Sequence, residues 1–203
     1  MKLYPNQYYH IYNHANGRDN LFYEAANYER FLASLQSFIL PFADIHAYCL
    51  MPNHFHLLVQ IHSEEELAKA LMENLTLMDL MDYDFKQKDR LKSLILKPEL
   101  VVSKRFADLF NGYAQYLNKH QERKGNLFMR GFKAKLIEDN DYLKRLLRYI
   151  HRNPINHRFA NSLVEWPWSS YQDYLSSITL KYNDMPLFDL FEDQLDFYLW
   201  HSE

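Results

Sequence analysis

Two histidines separated by one residue, His54 and His56, stand in the stretch Met51-Pro52-Asn53-His54-Phe55-His56-Leu57-Leu58-Val59. On an extended strand, side chains two apart point the same way, about 7 Å from each other. Phe55, Leu57 and Val59 then share the opposite, apolar face. Paired imidazoles can share a divalent ion when further ligands come from elsewhere. Two are too few for structural zinc, which takes four ligands and favours thiolates. An open site of this kind suits Mg²⁺ or Mn²⁺ working with a phosphate, since these ions keep waters and take ligands from substrate. The bland alternative is a polar pair satisfied within the fold, because ten histidines in one chain make chance His-x-His spacings common.

The second group is Arg148-Tyr149-Ile150-His151-Arg152-Asn153-Pro154. Tyr149 and Asn153 are four residues apart, which places both on one face of a helix. A tyrosine beside an apolar stripe is commonly a boundary residue with a wet hydroxyl. Here Lys144, Arg145, Arg148 and Arg152 surround it in sequence, and such cations could hold a phosphodiester against the phenol. Phenols ionise near about 10, so one acting as a nucleophile at neutral pH needs that help.

These side chains need a scaffold, and the pattern supplies one. Tyr8 to Asn13 alternates as a first strand, and Asn16-Gly17 turns the chain. Asn27 is placed to cap a helix whose stripe is Tyr28, Phe31, Leu32, Leu35 and Phe38, ending at Pro41. Ile45 to Leu50 reads as a second strand, joined through Pro52-Asn53 to the two-histidine strand as an antiparallel hairpin. Ser63 and Glu66 have the spacing of a capping box. Asp79 to Ser103, interrupted by Pro98, reads as an inserted helix and loop. Lys104 to His120 is an amphipathic helix, Leu127 to Ile137 a strand, and Asn140 the cap of a helix closed by Asn153-Pro154. A last helix falls around Leu187 to Trp200. The expected fold is α+β: an antiparallel sheet with helices on one face and the other face free for a site.

The chain has 203 residues, 48% of them hydrophobic, with four glycines, which is a globular composition. Cys49 is the sole cysteine, so no internal disulfide forms and a buried thiol in a reducing cytoplasm is expected. The start is polar and Tyr-rich rather than leader-like, and apolar runs are of strand length, so no membrane span is expected. The formal net charge is -3, yet residues 119–158 hold eleven Lys and Arg against four Asp and Glu. Residues 160–203 reverse this, with one lysine against eight acids. A basic middle is an electrostatic footprint for phosphates, and it makes Arg130, Lys133 and Lys135 candidates for nucleic-acid backbone contacts.

Taken together these pieces resemble the single-tyrosine HUH transposases, and most closely the REP-associated tyrosine transposases. The matching residues are Met51-Pro52-Asn53-His54-Phe55-His56, then Tyr113-Ala114-Gln115-Tyr116-Leu117-Asn118 with Arg123-Lys124-Gly125-Asn126-Leu127-Phe128 and Arg130-Gly131-Phe132-Lys133-Ala134, then Tyr149-Ile150-His151-Arg152-Asn153-Pro154. Tyr9-His10-Ile11 and Trp166-Pro167-Trp168-Ser169-Ser170-Tyr171 are similar as well, so the likeness runs over roughly residues 5–172. The resemblance implies a ferredoxin-like or RRM-like sheet, with a transposase domain over 1–172, an insertion at 79–103 and an acidic extension over 173–203. It implies cleavage of single-stranded, hairpin-forming DNA by Tyr149 through a 5′-phosphotyrosine, with His54, His56 and Asn153 holding Mg²⁺ or Mn²⁺. Lys133, Lys135, Arg130, Arg145, Arg148 and Arg152 are the expected DNA contacts, and a monomer acting in cis is favoured over a homodimer. Two rivals stand beside this reading: a domesticated module that grips structured single strands without cutting, and a metal-dependent hydrolase with a water nucleophile.

Overall fold

The structure, a computed structural model, describes residues 1–80, 97–175 and 187–202. Its centre is a four-stranded antiparallel sheet in the order β2-β3-β1-β4. The strands are β1 (Tyr8–His14), β2 (Ala43–Met51), β3 (His54–Ile61) and β4 (Lys133–Ile137). As the sequence predicts, β2 and β3 form a hairpin across Pro52-Asn53, with Met51 opposite His54. β1 lies against β3 in a register that sets Tyr12 opposite His56 and His14 opposite His54.

Alternation along the strands divides the molecule into two cores. On one face Ile11, Phe55, Leu57 and Val59 pack against α1 (Ala25–Phe38), α2 (Glu64–Leu80) and α3 (Pro98–His120). On the other, Ala47, Cys49, Met51 and Leu58 pack against Leu143, Leu146, Leu147 and Ile150 of α4 (Asn140–Asn156). A register shift between Ile45 and Ala47 switches the phase of β2, so Ile45 faces one core and Ala47 the other. Fully burying a side chain such as Leu147 contributes roughly 1.5–3 kcal/mol. The second face is therefore not left bare, as the sequence expectation had it. α4 crosses it, and α5 (Tyr171–Leu175) and α6 (Gln194–Ser202) extend the cover through Tyr171, Tyr174 and Phe197.

Several boundaries differ from the sequence reading for local reasons. Pro98 opens α3 rather than interrupting the segment, because a proline at the first helical position lacks only an N–H that has no helical partner anyway. Val101 and Val102, expected within an insertion, are fully buried residues of that helix. Residues 81–96 of the expected insertion and 176–186 of the tail lie outside the described residues. Glu24, not Asn27, precedes α1, and Asn27 Oδ1 accepts from the Tyr23 N–H at 2.9 Å. Asp139, not Asn140, caps α4, accepting from the N–H groups of Asp141 and Tyr142. β4 starts only at Lys133, since Gly131 at φ 70° bends the chain and Phe128 makes just an isolated bridge to Ala15. Pro154 lies inside α4, which runs on to Asn156. Ser63 and Glu66 form the expected reciprocal cap at 3.3 Å and 2.9 Å. No helix among the described residues is long and apolar enough to cross a membrane.

Candidate active site

His54 is the first residue of β3 after the hairpin turn, and His56 follows on the same face. Both are buried, at 3% and 5% exposure. α4 crosses above them and brings Asn153, fully buried, onto His54. The Asn153 Oδ1 stands 3.0 Å from His54 Nε2. One turn earlier, Tyr149 meets His56 edge-on, with ring centroids 5.3 Å apart at 72°. The tyrosine is 43% exposed, and its hydroxyl bonds to no described residue. His54, His56 and Tyr149 line a cavity of about 690 Å³, together with His10, His14, Lys135 and Arg145, and Asn153 lies buried behind His54.

The electrostatics favour neutral rings with available lone pairs. Burial holds His54 down to about 4, with the nearby His14 and His157 rings adding to it and the Asn153 contact opposing it. Burial and the neighbouring His10 and His54 rings push His56 down to about 2. Burial with Lys135 nearby pushes His10 down to about 4. Desolvation disfavours the charged ring in each case.

A neutral His54 faces two oxygens. Its Nδ1 is 2.8 Å from Asn53 Oδ1, and its Nε2 is 3.0 Å from Asn153 Oδ1. A neutral imidazole carries a single N–H, so only one of these contacts is a hydrogen bond. The other sets a nitrogen lone pair beside an oxygen lone pair, an arrangement a cation relieves. Adjacent ligands around an ion with bonds of about 2.0–2.1 Å lie about 3 Å apart, which the Nε2–Oδ1 separation matches. Asn153 Nδ2 is buried without a partner, so no hydrogen bond on that side of the amide competes for its orientation. These residues fit a hard divalent cation. Among the described residues no group of three or more His, Cys, Asp or Glu side chains is arranged to hold a metal, so a site here depends on the amide oxygen.

The basic residues divide. Lys135 and Arg145 line the cavity, Lys135 donating to the Tyr142 hydroxyl at 3.0 Å. Arg130 and Lys133 are exposed on the approach to β4 and at its start. Arg148 and Arg152 do not surround the phenol as expected. The Arg148 guanidinium lies 5.7 Å from the Trp200 ring, and Arg152 Nη1 donates to the His201 carbonyl at 2.9 Å. Lys144 likewise turns to Asp196 at 3.3 Å. Residues 144, 148 and 152 repeat every fourth position and so form their own stripe, turned toward α6. Sequence reasoning gave no role to His10, His14 and His157. The period-two spacing of His10, Tyr12 and His14 was the signal that could have placed the first two beside the histidine pair.

No protein-family model matches the chain. A curated protein of Haemophilus influenzae, named as a REP-associated tyrosine transposase, is 25% identical over 133 residues, 64% of this chain. The match spans 60% of that relative's length. Among solved structures, a REP-associated tyrosine transposase bound to a REP hairpin superposes with a TM-score of 0.55, covering 87% of this chain and 82% of the other at 13% identity. Identity that low speaks for the fold alone, here an α+β fold with a four-stranded antiparallel sheet and several helices. In sequence this chain is similar to a REP-associated tyrosine transposase, and in fold it matches one.

Proposed function

We propose that the protein cuts and rejoins single-stranded DNA beside a hairpin, with Tyr149 as the nucleophile. The observation that carries this is the meeting of Tyr149 and His56 across one cavity, 5.3 Å between ring centroids, from positions 93 residues apart in the chain. His54, His56 and Asn153 are the residues that would hold Mg²⁺ or Mn²⁺. Bound there, the ion supplies Lewis acidity to a phosphate oxygen.

The chain's own residues do the rest. The Tyr149 oxygen attacks the scissile phosphorus; the new O–P bond forms as the bond to the 3′ oxygen breaks. The phenol gives up its proton, and the departing 3′ oxygen gains one. The product is a 5′-phosphotyrosine and a free 3′-OH. Because the phosphodiester energy is kept in the covalent link, a second 3′-OH can reverse the step without a nucleotide cofactor. Lys135 and Arg145, at the cavity wall, offset the charge that builds on the phosphate. Arg130 and Lys133 contact the backbone farther out. The nucleophile and the histidines come from the same chain, which supports a monomer acting in cis. Hairpin DNA as the substrate is supported by the solved relative, which is bound to a REP hairpin.

The deciding experiment incubates the protein with Mn²⁺ and a single-stranded hairpin oligonucleotide. A denaturant-resistant protein–DNA adduct, absent from Tyr149→Phe, is the expected result. Hairpin binding that survives Tyr149→Phe with no adduct from either protein would identify a binding module instead. Cleavage unaffected by Tyr149→Phe but lost in His56→Ala would identify a hydrolase with a water nucleophile.

A further inference from the structure

The two histidines of β3 are each held from behind, and on the same ring atom. His54 Nδ1 stands 2.8 Å from Asn53 Oδ1, and His56 Nδ1 stands 2.9 Å from His10 Nε2. An amide oxygen only accepts, so His54 donates to Asn53 or to Asn153; with a cation shared by Nε2 and Asn153 Oδ1, as proposed above, its proton is on Nδ1 and faces Asn53. The partner of His56 is another imidazole, which can accept or donate. We infer that His10 is a positioning residue: its Nε2 accepts the Nδ1 proton of His56, which leaves the Nε2 lone pair of His56 open to a divalent cation in the cavity. This rests on the metal role given to His54, His56 and Asn153 above.

The fold explains how His10 arrives there. Tyr12 is directly opposite His56 in the β1–β3 register, so His10 is its diagonal neighbour, within reach of a ring on the same face. His10 is 7% exposed and His56 5%, and a buried ring nitrogen left without a partner is costly. No other described residue is bonded to His56 Nδ1. On its flanks His10 is packed by the Tyr12 ring at 4.7 Å and the Tyr149 ring at 6.2 Å between centroids. It therefore also braces the side chain that stands over His56.

A metal-binding imidazole commonly donates its other N–H to an acceptor that fixes tautomer and ring orientation. That acceptor is often a carboxylate, which also makes the ligand more basic. A neutral imidazole in the same place orients the ring with a smaller gain in basicity. The consequence is a weakly held, exchangeable ion whose coordination a substrate phosphate can complete.

The test uses the full chain stripped of metal. Mn²⁺ binding is followed by electron paramagnetic resonance, and the His56 tautomer by ¹⁵N NMR, in the wild type, His10→Phe and His10→Gln. His10→Phe fills the space without an acceptor and should weaken Mn²⁺ binding about 10–100-fold. His10→Gln keeps an acceptor oxygen and should stay within about threefold of the wild type. In metal-free wild type the His56 proton should sit on Nδ1, and in His10→Phe it should redistribute. Three results would overturn the inference: Mn²⁺ affinity unchanged in His10→Phe, a loss as large in His10→Gln as in His10→Phe, or a wild-type His56 protonated on Nε2. If the wild type binds no Mn²⁺, or His56→Ala binds it equally well, the ligand set itself fails and the inference falls with it. Failure confined to the His10 variants leaves that ligand set standing.

Discussion

Two flanks of α4 lie side by side and behave in opposite ways. The flank carrying Lys144, Arg148, His151 and Arg152 has its polar groups engaged by other parts of the protein. His151 Nδ1 lies 3.0 Å from His201 Nε2, and its Nε2 lies 2.9 Å from Ser170 Oγ. His201 Nδ1 donates to the Phe197 carbonyl at 2.8 Å, and Ser170 Oγ accepts from the Tyr48 N–H at 3.0 Å. Read along this line, each ring has one proton to give and one lone pair to fill, so the chain is satisfied when both histidines are neutral. On the other flank Arg145 meets Asp139 at 3.6 Å on the surface, while Tyr149 and Asn153 keep hydrogen-bonding capacity in reserve. The Tyr149 hydroxyl has no partner among the described residues, and Asn153 Nδ2 is buried without one. One flank spends its polar groups on holding the tail to the helix; the other leaves them for something the protein does not itself contain. Unmet hydrogen-bonding capacity, rather than density of charge, marks the side where a ligand belongs.

That contrast can be broken at either end. Tyr149→Phe should abolish the covalent DNA adduct, a loss of at least about 10³-fold, while urea unfolding shifts by less than about 0.5 kcal/mol, because only an unbonded hydroxyl is removed. His151→Ala should do the reverse in kind. It strands His201 and Ser170 in the core, and the expected cost is about 2–4 kcal/mol by urea unfolding.

The pH dependence of stability sharpens the same point. Burial holds His151 well below its ordinary value and His201 down to about 4. The unfolded chain, titrating near about 6.5, therefore binds more protons than the folded one in this window. Stability is full above about 6.5 and declines as pH falls toward about 4, and the cavity histidines His10 and His54, also near 4, add the same sign. Unfolding free energies measured from pH 7 to pH 4 should show the decline, and saturating Mn²⁺ should raise stability at pH 7 in the wild type but not in His56→Ala.

The smallest effects separate the arginines. Arg148→Ala should lose about 0.5–1 kcal/mol of stability with its contact over Trp200, and should leave the salt dependence of DNA binding unchanged. Arg145, exposed and paired among the described residues with Asp139 at 3.6 Å, should on change to Ala leave stability alone and reduce the salt slope by about 1. Equal behaviour of the two arginines in both measurements would erase the distinction between the flanks.

Much of the arrangement was legible in residue order. Period-two alternation placed His54 and His56 together, and Pro52-Asn53 made the hairpin that presents them. Four-residue spacing put Tyr149 and Asn153 on one helix face, and the capping box at Ser63 and Glu66 formed as read. The basic cluster was misread for a geometric reason. Closeness in sequence took Arg145, Arg148 and Arg152 as one group, whereas Arg148 and Arg152 meet Trp200 and the His201 carbonyl of α6 and Arg145, two helical turns before Arg152, meets Asp139 and the cavity. Pro98 was read as a break because proline interrupts helices, but at the first position it costs nothing.

Local periodicity, then, determined which side chains share a face, since that depends only on rise and rotation along a single element. What crosses between elements was decided by packing: which face α4 covers, that Asn153 lands on His54, that His10 reaches His56 and that the tail takes up Arg148 and Arg152. Those contacts join residues 46 to 99 positions apart, as His10 with His56 and His54 with Asn153. No local pattern encodes such separations, because they follow from the way two apolar cores close on opposite sides of one sheet.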